Sequence, residues 1–240
     1  MKTAALLVLG ALVLSACGDG ETPEQKKVGA AIDKWTAEPD GDGSVAGEFK
    51  KDFPDQWSNI RHGLEVNFAT AGDVSNAKAD ALNQVSGFMK DHLGDMAKAS
   101  DASLDAFFDE QRTLLNNTWG VNVETCAHIA SGGLKTGDVV GKFGPDVFAD
   151  KRLQLKLMHE GASHPATHPA FAWTPAEQAR IDQVFRKDNI KIPKEGMSGA
   201  DYVVQCVGAV DVAEIVKTLP GDRKAAFEAD QIAQHAKAAK

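Results

Sequence analysis

The sequence lacks several features that mark nucleic-acid-binding proteins and β-structure. It has no cluster of basic residues, and its formal net charge is −8. Because nucleic-acid-binding proteins use lysine and arginine to contact phosphates, this balance argues against a nucleic-acid partner. No stretch alternates apolar and polar residues over a useful length for a strand, and no repeat with a period of about 20 to 50 residues is convincing.

Signatures of common catalytic sites are missing as well. There is no G-x-S-x-G nucleophile elbow, and no glycine-rich loop has the spacing that cradles a phosphate. A Ser-His-Asp triad is defined in space and has no fixed spacing, so it stays open as an alternative. The sequence therefore predicts a protein that is not an enzyme, and an enzyme of unknown class is the third hypothesis.

An apolar run lies at the N-terminus, after the short basic start Met1-Lys2-Thr3. Residues 4–14 read AALLVLGALVL, and the small residues Ser15 and Ala16 follow. This run is far shorter than the ~20 residues that a membrane-spanning helix needs. A basic start, a short apolar run and small residues at its end are typical of a secretory signal peptide.

The tetrapeptide Leu14-Ser15-Ala16-Cys17 closely resembles the lipobox of bacterial lipoproteins. The resemblance covers the signal peptide and Cys17 alone. It implies cleavage after residues 1–16 and acylation of Cys17, so that two or three acyl chains anchor the protein stably to a membrane. It also implies a place in the bacterial cell envelope, facing the periplasm, and Gly18 in place of aspartate favours the outer membrane. No cofactor is expected apart from the covalent lipid.

The chain has three cysteines, and the resemblance assigns one of them to lipid. Cys126 and Cys206 then remain as an even pair in an exported protein, whose compartment permits disulfides. We therefore predict a Cys126–Cys206 disulfide. Two buried free thiols or a metal site are the alternatives, and the metal site is the weaker one because no C-x-x-C pair is present.

Helix signals dominate the rest of the chain. Thr22-Pro23-Glu24-Gln25 and Thr174-Pro175-Ala176-Glu177 have the form of capping boxes with proline at the first helical position. Asp73 is a further predicted N-cap, and Gly132-Gly133 is a predicted C-cap. Residues 39–43 read PDGDG and predict a hinge. The first helix, which precedes this hinge, is either a stalk or packs onto the body.

The clearest periodicity in the chain is an apolar stripe of six residues at helical spacing. Pro54 lies inside this stripe and should break or kink the helix near Phe53. Aromatic stripes can line ligand sites, but they more often form core, and we interpret this one as core. Its members are Phe49, Phe53, Trp57, Ile60, Leu64 and Phe68.

Together these signals predict an all-α protein with a single body of roughly eight to ten helices, braced by one disulfide. The predicted organisation has three parts. Residues 1–16 form a lipoprotein signal peptide. Residues 17–43 hold the lipidated Cys17, the first helix and the hinge. Residues 44–240 form the all-α domain.

The best candidate site in the sequence is a histidine-rich stretch. His159, His164 and His168 lie close together, and imidazole groups at close spacing suit zinc or copper. The spacing is one residue too long for the H-E-x-x-H motif, which places two histidines on one helical face. Pro165 and Pro169 predict a loop. The three histidines are thus candidate metal ligands, and a solvated or capping loop is the favoured interpretation.

The function predicted from the sequence is that of a membrane-anchored periplasmic lipoprotein without catalytic activity. Such a protein would interact with another envelope protein or an envelope polymer, or would have a structural role in the envelope. Its membrane contact would be made by the lipid on Cys17. The second hypothesis is a lipoprotein that binds a small ligand or a metal ion with the loop from His159 to His168.

Overall fold

The computed structural model describes residues 21–68, 74–130, 144–187 and 199–238. Over these ranges the chain forms eleven α-helices and no strand, which confirms the all-α prediction. The predicted signal peptide, Cys17, Asp73 and Gly132-Gly133 lie outside the described ranges. The helices are α1 Pro23–Thr36, α2 Asp42–Asp52, α3 Pro54–Phe68, α4 Val74–Asp91, α5 Leu93–Met96, α6 Asp101–Trp119, α7 Val123–Ala130, α8 Gly144–Ser163, α9 Pro175–Lys187, α10 Gly199–Val216 and α11 Gly221–Ala238.

Both predicted capping boxes are present. The backbone N–H of Thr22 donates to Gln25 Oε1 at 2.7 Å, and the backbone N–H of Gln25 donates back to Thr22 Oγ1 at 3.2 Å. The reciprocal pair between Thr174 and Glu177 has distances of 2.8 and 3.3 Å. These side chains satisfy backbone donors that have no partner inside their helices, so α1 and α9 begin where the sequence predicts.

Proline divides the aromatic stripe between two helices. Helix α2 ends at Asp52 and α3 begins at Pro54, because proline lacks the N–H that would continue α2. Phe49, Trp57 and Leu64 from the two helices are buried in the largest apolar cluster, so the interpretation of the stripe as core is confirmed. This division and the very short α5 raise the helix number above the eight to ten expected.

Helix α1 packs onto the body, which is one of the two alternatives left by the sequence. Its residues Val28, Ile32 and Trp35 are buried in the same cluster as the aromatic stripe. The Trp35 Nε1–H group donates to Asp42 Oδ1 at 3.0 Å, across the turn formed by residues 37–41. A Cβ atom on Gly43 would overlap the carbonyl oxygen of Trp35, so glycine permits this close approach. Movement at residues 39–43 stays a prediction.

The predicted disulfide is present. Cys126 on α7 and Cys206 on α10 are bonded, their Cα atoms are 5.4 Å apart, and both side chains are buried in a second apolar cluster. The bond closes a loop with a sequence separation of 80 residues. In the chain-entropy model, a loop of this length stabilises the folded state by about 4.5 kcal/mol.

None of the described helices is long and apolar enough to cross a membrane.

Helix α8 includes His159, the first residue of the histidine-rich stretch, and ends at Ser163, so the loop predicted from Pro165 and Pro169 follows it. Its last turn crosses α5 so closely that a Cβ atom on Gly161 would overlap the carbonyl oxygen of Asp95. The chain that follows lies over the junction of α5 and α6. There the backbone N–H of Ala166 donates to the carbonyl oxygen of Lys98 at 2.7 Å.

We expect Gly161→Ala to lower the free energy of unfolding by about 2 kcal/mol, because the added methyl group would force α8 away from α5. The overlapping atom belongs to the Asp95 backbone and cannot rotate away. Chemical denaturation followed by circular dichroism measures the change.

The matched control is Gly87→Ala on α4, where a Cβ atom would meet nothing within 4 Å. Removing a flexible glycine from an exposed helical position should raise stability by about 0.5–1 kcal/mol. Equal effects at the two glycines would contradict the close crossing of α5 and α8.

Candidate functional site

The structure places the three candidate histidines in different surroundings. His159 lies on α8, where its ring packs edge-on against Phe53 with centroids 5.7 Å apart. His164 is exposed just after α8. His168 is tied to the start of α6, with Nδ1 3.1 Å from Asp101 Oδ1 and Nε2 2.8 Å from the carbonyl oxygen of Ala99.

The histidine-rich stretch contacts the start of α6 through its neighbours as well. Glu160 Oε1 accepts a hydrogen bond from the backbone N–H of Ser100 at 3.1 Å, next to the first turn of α6. Across the described part of the chain, no group of three or more His, Cys, Asp or Glu side chains is placed to hold a metal ion. A metal site at His159, His164 and His168 therefore stays a prediction, and the contacts observed for His168 and Glu160 fit the capping interpretation.

A large concave feature of the described structure lies among helices for which no sequence motif predicts a site. We call it the central cavity. Its volume is about 970 Å³, and α4, α6, α8, α10 and α11 contribute most of its lining. Small-molecule sites in proteins are mostly apolar clefts of about 300–1,000 Å³ with a few polar groups. The apolar side chains that line the cavity include Met89, Phe107, Phe108, Phe148, Val212 and Phe227.

Two buried carboxyl groups line this apolar space, and Asp150 on α8 is the first. Its side chain accepts hydrogen bonds from Gln154 Nε2, at 2.7 Å, and from Gln111 Nε2. Only 1% of the residue is exposed. Burial raises the pKa of Asp150 to about 6, although Lys151 and the two amide donors favour the ionised form.

Glu228 on α11 is the second buried carboxyl group, and it is more isolated. The residue is 8% exposed, and none of the described residues donates a hydrogen bond to it. Burial raises the pKa of Glu228 to about 8, opposed only by the charge of Lys224. That ammonium group is paired with Asp105 and lies 5.6 Å from the centre of the Phe108 ring. At neutral pH the Glu228 carboxyl group is therefore mostly protonated.

Two further polar side chains complete the lining on α10 and α6. Gln205 Oε1 is buried and has no hydrogen-bond partner among the described residues. Arg112 lines the cavity too, but its guanidinium group is engaged by Glu214, with Nη1 3.2 Å from Oε1. Its Nε atom lies 3.8 Å from Asp109 Oδ1. The site thus combines an apolar wall with acceptor groups that lack partners and with perturbed carboxyl groups, which is typical of ligand-binding sites.

Comparisons with protein-family models, curated proteins and solved structures find no match for this chain.

Sequence reasoning missed both carboxyl groups, although a signal for Glu228 was present. On α11, Glu228 follows Ala225 by three residues and precedes Ile232 by four, and both neighbours are buried. It therefore shares the apolar face of the helix, where an acidic residue is out of place. Asp150 follows the buried Val147 on α8 at the same spacing.

We expect Glu228→Gln to change how stability depends on pH. The pKa of Glu228 is raised in the folded state, so the folded state binds more protons than the unfolded state between about pH 4.5 and about pH 8. This group's contribution to stability is therefore largest below that window and is lost as the pH rises through it, by up to about 1.4 kcal/mol per pH unit. Glutamine has no charge to bury, so the variant should become more stable relative to the wild type as the pH rises.

Urea unfolding of both proteins across this window measures the difference, and other titrating groups cancel in the comparison. Exposed Glu38 supplies the control, because Glu38→Gln should leave the shape of the stability curve unchanged. A constant offset between wild type and Glu228→Gln would mean that water reaches the Glu228 carboxyl group.

Proposed function

We propose that this protein is a lipid-anchored protein of the bacterial cell envelope that binds a small, largely apolar molecule in the central cavity. The observation that carries the proposal is an apolar cavity of about 970 Å³ with two buried carboxyl groups in its wall. The resemblance of Leu14-Ser15-Ala16-Cys17 to a lipobox supports the location. A periplasmic, outer-membrane position and a non-enzymatic role belong to the same proposal.

The size of the hydrophobic effect supports useful affinity. Burying about 300 Å² of a ligand's apolar surface gains about 7 kcal/mol before the costs of association. Aromatic side chains from several helices offer such surface, among them Phe107, Phe148 and Phe227.

Contacts between the helices that form the cavity support a binding site that persists without ligand. The Cys126–Cys206 bond joins α10 to α7, and the Arg112–Glu214 ion pair joins α6 to α10. Lys224 on α11 pairs with Asp105 on α6. A site whose walls are fixed in advance loses less conformational entropy when it binds.

In this proposal, a small ligand binds in the central cavity and not in the loop between His159 and His168. Interaction with an envelope protein or polymer, the first expectation from the sequence, stays a prediction beside it. The volume of the cavity, about 970 Å³, lies in the range typical of small-molecule sites.

We expect Val212→Phe to weaken binding of the neutral apolar dye N-phenyl-1-naphthylamine by at least about tenfold. Val212 lines the cavity on α10, so the larger ring would occupy space that the dye needs. Dye fluorescence measures binding, and circular dichroism checks folding.

The matched control is Val203→Phe on the same helix, because Val203 is 41% exposed and does not line the cavity. It should bind the dye like the wild type. Unchanged binding by Val212→Phe, or no binding by the wild type, would count against the cavity as the site.

We expect Cys17→Ser to prevent acylation, because serine has no thiol to carry the lipid. The protein should then leave the membrane fraction, since two or three acyl chains provide the anchor. Labelling of cells with palmitate and fractionation measure both effects. Ala16→Gly keeps a small residue before the cysteine and should remain acylated. A Cys17→Ser protein that still fractionates with membranes would contradict the anchor.

A further inference from the structure

We infer that the central cavity binds an organic ammonium ion with an apolar tail, and that Glu228 is its counter-ion. This inference rests on the proposed function and adds the chemical class of the ligand. It is drawn from the carboxyl groups of the cavity wall, which have unused capacity to accept hydrogen bonds.

Two buried carboxyl groups support this ligand class. Glu228 receives no hydrogen bond from the described residues. Asp150 receives two amide hydrogen bonds, and a carboxylate can accept about four. An ammonium group is a cation with up to three N–H donors and no acceptor, so it complements this set.

Burial makes an external partner for Glu228 the best explanation of its position. A buried carboxyl group without a hydrogen bond is destabilising, and proteins usually pair such groups internally. The nearest cation on its own helix, Lys224, is turned to Asp105 and to the face of Phe108. Glu228 is thus left to face the cavity that it lines.

The aromatic wall suits both parts of such a ligand. Phe107, Phe108, Phe148 and Phe227 line the cavity. The faces of aromatic rings attract cations, most strongly away from water, and their carbon surface packs against an alkyl chain.

Basic side chains in the cavity wall would repel an ammonium ion. They are less available to a ligand than the carboxyl groups are. Arg112 Nη1 is hydrogen-bonded to Glu214, while its buried Nε atom has no hydrogen-bond partner among the described residues and lies 3.8 Å from Asp109 Oδ1. Lys151 Nζ lies 3.5 Å from Gln154 Oε1. An anionic ligand would compete with these acidic partners and meet the two buried carboxyl groups. The charged and titratable residues that line the cavity are Asp42, Lys90, Arg112, Asp150, Lys151, Glu228 and His235. Of these, Asp42, Lys90 and His235 are exposed.

Binding of the ammonium ion should release a proton at neutral pH. The protonated Glu228 carboxyl group loses its O–H proton to the buffer and becomes the carboxylate that pairs with the ammonium group. The ligand keeps its own charge and protons, so no other reactant is needed. A neutral ligand would leave the proton on Glu228.

The test compares octylammonium, octanol and octanoate, which share one alkyl chain and differ in charge. Isothermal titration calorimetry at neutral pH should give octylammonium an affinity at least about tenfold above the other two. Titrations in phosphate and in Tris, which differ in ionisation enthalpy, should show proton release with octylammonium and none with octanol.

Substitutions identify the counter-ion. Glu228→Gln should weaken the binding of octylammonium by at least about tenfold. The affinity for octanol should change by less than about twofold, because only the charged pair is lost. Asp150→Asn, a second variant, should also weaken the binding of octylammonium. The matched control is Asp230→Asn on α11, outside the cavity lining, which should change octylammonium binding by less than about twofold.

Each outcome has a defined meaning. Stronger binding of octanoate than of octylammonium, or unchanged octylammonium binding by Glu228→Gln, would overturn the inference. Octanol binding without preference for octylammonium would overturn it as well and leave the proposed function standing. Failure of all three probes and of the neutral dye would remove the proposed function itself.

Discussion

The Cys126–Cys206 disulfide is the constraint on which the interior of the protein depends. It holds α10 against α7 in an apolar cluster that is separate from the larger one. The larger cluster joins α1 to α6 with α8 and α11. Each cluster excludes water from its own helices, and the central cavity lies where helices of both clusters face each other. The disulfide thus fixes the position of one wall of the cavity, and this wall need not pack against the opposite one.

Local chemistry explains why the helices were predictable from the sequence. Capping boxes at Thr22 and Thr174 and the break at Pro54 depend on backbone groups within a few residues, so their outcome is decided locally. Helix α5 has no side-chain cap and consists of four residues, and its position follows from its contact with α8. The central cavity depends on contacts between distant helices, which no local pattern encodes.

The histidine-rich stretch illustrates the same limit for sites. The close spacing of its three histidines along the sequence suggested metal ligands. In the structure, His168 and Glu160 contact the start of α6. Gly161, which has no side chain, lies close against the backbone of α5. The residue that positions this segment is thus one that a search for functional side chains overlooks.

The position of Glu228 departs from the rule that the apolar faces of helices exclude acidic residues. The free-energy cost of this departure is informative. With the pKa of Glu228 raised to about 8, burying the group costs about 3 kcal/mol at neutral pH relative to an exposed glutamate. The disulfide's contribution of about 4.5 kcal/mol is of the same order. A fold stabilised by a covalent bond can therefore tolerate a carboxyl group that weakens its core. Departures of this kind concentrate at functional sites, where the local cost is offset elsewhere in the structure. A purely structural role would be met better by leucine at this position, because leucine would fill the same space without the cost of burying a carboxyl group.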